Sequence, residues 1–154
     1  MVPLPTEPAL LDAAGIKFGR TATSRADAVD QVGRTLLEIG AVEPAYLPAM
    51  HERERLVSTY VGERVAIPHG TDEARLHVRR TSLVVLQFPE GVDWGGHDVR
   101  LCVGIAANGN EQVGLLASLA GVLVNAELAA QLREAEDAET VIRILQSTNE
   151  ESDQ

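Results

Sequence analysis

Cysteine is nearly absent: Cys102 stands alone. One thiol cannot close an intrachain disulfide, so a disulfide-stapled secreted scaffold is excluded and a reducing compartment fits. Basic residues are scarce as well. Lys plus Arg number 13 against 23 Asp plus Glu, a formal charge of −10 with His neutral. The nearest basic run, Arg75, His77, Arg79 and Arg80, is short and follows Asp72 and Glu73. A phosphate backbone attracts dense Lys and Arg, so this balance argues against direct nucleic-acid binding. An acidic surface suits a basic protein partner, because complementary fields speed encounter. No apolar run reaches the ~18 residues of a membrane span. Met1–Pro8 lacks the basic n-region of a signal peptide. Four scattered histidines show no zinc-ligand spacing, and no Gly-rich nucleotide loop follows a strand. Internal repeats are absent too. These absences predict a cytoplasmic protein without membrane insertion.

What remains is an ordinary globular composition, 45% hydrophobic and 23% charged over 154 residues. That length predicts one domain with a substantial core of its own. Residues 1–13 are Pro-rich and read as a flexible leader, residues 14–147 as the domain, and 148–154 as a polar tail. Ile16–Thr21 reads as a short strand. Ser24 is placed as a helix N-cap, with Val29, Val32, Leu36 and Ile39 on one face and Gly40 as the stop. Pro44 opens a second helix running to about Leu56. Val65–Ile67 is a short strand ending at Pro68.

Ser82–Phe88 and Val99–Ala106 are apolar enough for central strands covered on both faces, joined by a turn-rich connection over Pro89–Gly96. Glu111–Val124 is apolar nearly all round, which predicts a largely buried helix. Two shorter helices follow, near Ala126–Ala135 and Ala138–Gln146. The alternation predicts an α/β fold, a three-layer sandwich: a mixed, mostly parallel sheet of about five strands with helices on both faces. Trp94 falls in the connection, where closing over the core and contacting a partner are both open. Cys102, inside an apolar strand, reads as core.

The segment Gly62-Glu63-Arg64-Val65-Ala66-Ile67-Pro68-His69-Gly70-Thr71 carries the chemistry. A strand brings a histidine to its end between Pro and Gly. Pro68 stiffens the approach, and Gly70 lets backbone come close to the imidazole. A turn starting at Thr71-Asp72 would offer free N–H groups to an anion. Neutral imidazole is a good nucleophile near pH 7, so these parts suit a phosphoryl acceptor. Locally, a plain loop histidine is the alternative.

The wider run decides between them. Glu43-Pro44-Ala45-Tyr46, Ala49 through Leu56, Ser58-Thr59-Tyr60-Val61-Gly62-Glu63 and Ala66-Ile67-Pro68-His69-Gly70-Thr71 resemble the mannitol/fructose-type enzyme IIA domain of the bacterial phosphoenolpyruvate-dependent sugar phosphotransferase system, the mannitol branch above all. The resemblance continues through Gln87–Val92, Leu101–Ala107 and Asn110-Glu111, and spans roughly Ile16 to Leu145. It implies that His69 takes a phosphoryl group from the phosphocarrier protein HPr, as tele-phosphohistidine, and passes it to an enzyme IIB cysteine. That cysteine is not Cys102, and the permease parts are expected on other polypeptides. It also implies Arg53 and Glu63 beside the phosphohistidine. No metal or organic cofactor is implied, since the donor is another protein.

Physical roles follow for these residues. Arg53 presents a planar fork of donors to phosphate oxygens. Glu63 can accept the imidazole N–H and so fix the tautomer, or form a solvated salt bridge with Arg53 or Arg64. Where the family carries a second histidine after Asn-X-Glu, this chain has Gln112, which donates an N–H to phosphate but cannot become cationic. His51 is two positions from Arg53, so the two do not share a helix face. A second function stays open, a regulatory nitrogen-type enzyme IIA that binds partners according to its phosphorylation state. A third is a partner-binding module that has lost transfer.

Overall fold

The structure is a computed structural model that describes residues 11–107 and 111–152. Its central feature is a pair of long antiparallel strands, β4 (Ser82–Trp94) and β5 (His97–Ala106). β1 (Leu11–Lys17) runs parallel to β4 on one side. On the other, β3 (Val65–Ala66) runs parallel to β5, and β2 (Tyr60–Gly62) closes the edge antiparallel to β3. The mixed five-stranded order is therefore β1-β4-β5-β3-β2.

Alternation along β4 explains why its sequence is apolar without a break. Val84, Leu86 and Phe88 face one layer, with α1 (Arg25–Glu38) and α2 (Tyr46–Leu56). Leu83 and Val85 face the other, with α3 (Glu111–Leu123), α4 (Ala126–Glu134) and α5 (Ala138–Ser152). Both faces of a central strand are buried, so no polar alternation survives. The expected three-layer α/β sandwich is the fold observed. No single helix among the described residues is long and apolar enough to cross a membrane.

Helix α1 begins and ends as its sequence specifies. The Ser24 hydroxyl accepts from Asp27 N–H at 3.1 Å, an N-cap typically worth about 1 kcal/mol. At the other end Gly40 takes φ 76°. Its N–H donates to the Leu37 carbonyl and that of Ala41 to the Leu36 carbonyl, both at 3.0 Å, the paired bonds of a Schellman stop. The basic run after the site is also absorbed locally. His77 and Arg79 contact Glu43 at 3.2 and 3.8 Å, and Arg80 donates to the Ile39 carbonyl at the end of α1.

Four expectations change. β1 starts at Leu11, inside the stretch read as leader. Leu11 is buried and pairs with Leu83, but the register shifts before Ile16 and leaves Asp12, Ala13 and Ala14 exposed, which hides the strand pattern. The connection Pro89–Gly96 is mostly strand. β4 continues through a bulge between Gln87 and Val92, where Pro89 needs no ladder partner and Gly91 takes φ 84°. The chain then reverses at Gly95 and Gly96, at φ 64° and 97°. Helix α3 is less buried than its composition implies: Leu119, Val122 and Leu123 face the core, while Gly114, Ala117, Ala120 and Gly121 are exposed. Small residues count as apolar yet bury little area, so composition overstated this helix. α5 runs to Ser152, past the expected end at Gln146.

The close seating of α1 on the sheet depends on Gly104. A Cβ there would lie 2.2 Å from Val32 Cγ1 and 2.8 Å from Val84 Cγ2, both fully buried side chains. Gly104→Ala is expected to lower unfolding free energy by about 1–3 kcal/mol through overpacking. A urea midpoint that falls with an unchanged slope checks this, and an unchanged midpoint refutes the tight seating.

Candidate active site

The site is built on the end of β3. After Ala66 the chain keeps its parallel course beside β5: the Pro68 carbonyl accepts from Ile105 N–H at 3.0 Å, and His69 bridges to Ile105. The preceding hairpin turns through Glu63 and Arg64, with φ 52° and 63°. Positive φ at both central positions is the signature of the tight hairpin turn whose twist matches the strands, here carried without glycine. Arg133 of α4 donates to the Glu63 carbonyl at 2.6 Å and ties this turn to the opposite layer.

Tyr46 clamps the segment from the α2 side. Its hydroxyl accepts from Gly70 N–H at 2.9 Å and donates to the Ile105 carbonyl at 3.0 Å. A Cβ on residue 70 would sit 2.7 Å from the Tyr46 ring, so glycine is needed for the approach itself. Burial pushes the Tyr46 hydroxyl pKa up, against the pull of the Gly70 N–H. Beyond Gly70 the chain enters a short 3-10 helix, Asp72–His77, at the place where a turn was expected.

His69 is only 5% exposed. Its Nδ1 lies 2.8 Å from the Ile67 carbonyl, which can only accept. The proton is therefore on Nδ1, and Nε2 holds the lone pair. Burial is the largest influence on the ring and lowers its pKa; the Ile67 carbonyl opposes this, Arg53 adds to it, and Glu54 and Asp72 oppose it. The result is a neutral imidazole with its tautomer set, the form a nitrogen nucleophile requires.

The other expected residues separate. Arg53 lies within electrostatic reach of His69 and donates to the Val57 carbonyl at 2.6 Å, which steadies the guanidinium at the end of α2. Glu63 does not fix the tautomer; the Ile67 carbonyl does, because the sharp hairpin turn leaves the Glu63 side chain exposed. Gln112 is in the first turn of α3, and its side chain lies outside the described residues. His51 is 3.5 Å from Asp30 of α1. Cys102 is fully buried, and burial pushes its thiol pKa far up, which makes it inert. Trp94 closes into the core.

Sequence reading passed over Tyr46, Thr59 and Glu54. Tyr46, Met50 and Glu54 are the buried residues of α2. Their four-residue spacing was the available signal: a carboxylate on the apolar stripe.

Comparison with known proteins decides the family. The model for the phosphoenolpyruvate-dependent sugar phosphotransferase system, EIIA 2, matches residues 9–148. The chain belongs to this enzyme IIA family. The mannitol-specific phosphotransferase enzyme IIA component of Staphylococcus aureus is 40% identical over 126 residues, 82% of this chain and 88% of that protein. The crystal structure of the mannitol IIA from Escherichia coli superposes with TM-score 0.80 at 38% identity, covering 87% of this chain and 97% of that one. An Escherichia coli complex of mannitol IIA with phosphorylated mannitol IIB gives 0.82 at 35% identity, covering 90% and 99%. This enzyme IIA is thus a component of a phosphotransferase system.

The buried neutral histidine is expected to make stability depend on pH. In the unfolded chain it titrates near 6.5, and in the folded enzyme IIA lower. As pH falls below about 6.5 the unfolded state takes the proton first, so stability drops until the folded value is passed. His69→Gln is expected to flatten that part of the profile. Denaturation midpoints at about pH 7.5 and pH 5.5 check it; equal acid losses in both proteins would show that His69 is not held neutral.

Proposed function

We propose that this enzyme IIA is a phosphocarrier of the mannitol branch, taking a phosphoryl group on His69 from phospho-HPr and passing it to a cysteine of enzyme IIB. The observation that carries this reading is the bond from Nδ1 to the Ile67 carbonyl, which leaves Nε2 as the attacking atom. The Nε2 lone pair forms the new N–P bond while the bond to the donor's histidine nitrogen breaks and its electron pair returns to the donor ring. No proton has to move, because Nδ1 keeps its own. The product is the tele-phosphohistidine. An enzyme IIB thiolate then attacks phosphorus, and the His69 ring leaves with its lone pair restored.

Such transfer is mainly positioning and charge stabilisation. Arg53, fixed through Val57, supplies donors for the phosphoryl oxygens. Gln112 offers an amide N–H and no charge, so Arg53 carries the cationic role. Mannitol as the sugar rests on the names of the relatives, and IIB as the acceptor on the complex formed by the Escherichia coli protein. A cytoplasmic place of action is part of the same reading, supported by the lone buried thiol.

The test is labelling with phosphoenolpyruvate, enzyme I and HPr, read as intact mass and acid lability. Wild type is expected to gain one acid-labile phosphoryl group and His69→Ala none. Labelling of the alanine variant would move the site elsewhere. In the same assay Arg53→Lys is expected to slow labelling about ten-fold or more, because a point charge cannot replace the fork. An unchanged rate would remove Arg53 from the mechanism.

A further inference from the structure

The carboxylate of Glu54 is the most deeply placed charge near the site, at 6% exposure, and the chemistry above does not use it. Three donors converge on it. Oε1 accepts from the Thr59 hydroxyl at 2.6 Å. Oε2 accepts from Thr59 N–H at 2.8 Å and from the Trp94 indole N–H at 2.9 Å. The bonds then run on to the nucleophile. The Thr59 carbonyl accepts from Ile67 N–H at 3.0 Å, and the Ile67 carbonyl accepts from His69 Nδ1 at 2.8 Å. One side chain on α2 thereby joins the end of β4, the segment leading into β2 and the residue that orients the imidazole.

We propose that Glu54 is a positioning residue for phosphoryl transfer at His69: it holds Thr59 and, through it, the Ile67 carbonyl on Nδ1, and it provides the fixed negative charge that the ring needs as it turns cationic. This rests on the phosphocarrier reading. When Nε2 bonds to phosphorus and keeps its Nδ1 proton, the imidazole gains a positive charge inside a largely buried site. Water cannot solvate it well there, and the facing charges must. Arg53 opposes a positive ring; Asp72 and Glu54 favour it, and Glu54 is the one anchored by three hydrogen bonds. A buried carboxylate is expensive where packing alone is wanted, and well-packed apolar residues often serve as well. Its place within electrostatic reach of the ring, tied through Thr59 and Ile67 to the ring's own acceptor, fits a preorganised charge that meets the charge that develops.

Glu54→Gln removes the charge and keeps the shape. The amide oxygen can retain the Thr59 and Trp94 N–H groups, while the amide N–H donates to a Thr59 hydroxyl turned the other way. The readouts are imidazole 15N NMR of His69 against pH, thermal melting, and labelling by phospho-HPr at several HPr concentrations. The glutamine variant is expected to melt as a folded protein. Its His69 midpoint should fall by about 0.5 pH. Its maximal labelling rate should fall about ten-fold, equivalent to ~1.4 kcal/mol, at an unchanged half-saturating HPr concentration, since the Glu54 side chain is buried.

Glu54→Asp keeps the charge on a shorter arm. It is expected to hold the His69 midpoint and most of the rate while losing more stability than is usual for a conservative change, so it serves alone if the glutamine variant does not fold. A midpoint and rate equal to wild type in Glu54→Gln would overturn the proposal. So would rates that follow melting temperature instead of charge across the two variants. Failure of wild type to take phosphate from HPr would instead sink the carrier reading, and the titration would still report whether Glu54 and His69 are coupled.

Discussion

The imidazole of His69 is held on one tautomer and in one place by a single bond, Nδ1–H to the Ile67 carbonyl, while burial, against the pull of that carbonyl, favours its neutral form. That carbonyl is part of the backbone, so its position is only as good as the strand that carries it. β3 has just two residues, too few to be rigid by itself. Its alignment is borrowed from β5, through the ladder at Val65 and Ala66 and the further contacts of Pro68 and His69 with Ile105. β5 is in turn the most protected strand of the sheet, paired along its length with β4 and covered by a helical layer on each face. The precise placement of the imidazole is inherited from the core.

This explains which parts were legible in the sequence. Ser24, the Val29-Val32-Leu36 stripe and Gly40 encode α1 locally, by capping and periodicity, and such signals need no knowledge of neighbours. The apolar runs of β4 and β5 likewise announce central strands. Pro89–Gly91 misled because a proline and a glycine in a strand read as a turn, while a bulge accommodates both without ending the ladder. β1 was read as Ile16–Thr21 instead of Leu11–Lys17 because its register shift breaks the alternation that identifies a strand.

At the site, residue type was informative and partnership was not. His69 and Arg53 are marked by their motif. A tautomer-setting acceptor was sought among side chains, and the resemblance pointed to Glu63. The acceptor is instead a main-chain carbonyl two residues away, and any residue has one. Glu54 escaped for the opposite reason. It sits in a run of charged residues, His51-Glu52-Arg53-Glu54-Arg55, where each looks solvated. Only its four-residue spacing from Met50 and Tyr46 separates it, and that spacing gains meaning once those two are known to be buried.

Arg53 and Glu54 are neighbours in sequence, and a helix turns about 100° between them, so they face different surroundings. On the phosphocarrier reading, transfer to a neutral imidazole would place negative oxygens beside a ring that becomes positive. Arg53 reaches the Val57 carbonyl at the helix end, while Glu54 is turned into the core against Thr59 and Trp94. If the proposed transfer holds, a single turn of α2 meets both charges with groups already in place. Interchanging the two would put the anion toward the phosphoryl group and the cation against the ring, and both would resist transfer. On the proposed reading the order Arg-Glu along α2 matters to the chemistry, and Tyr46 and Met50 pack the same helix against the core.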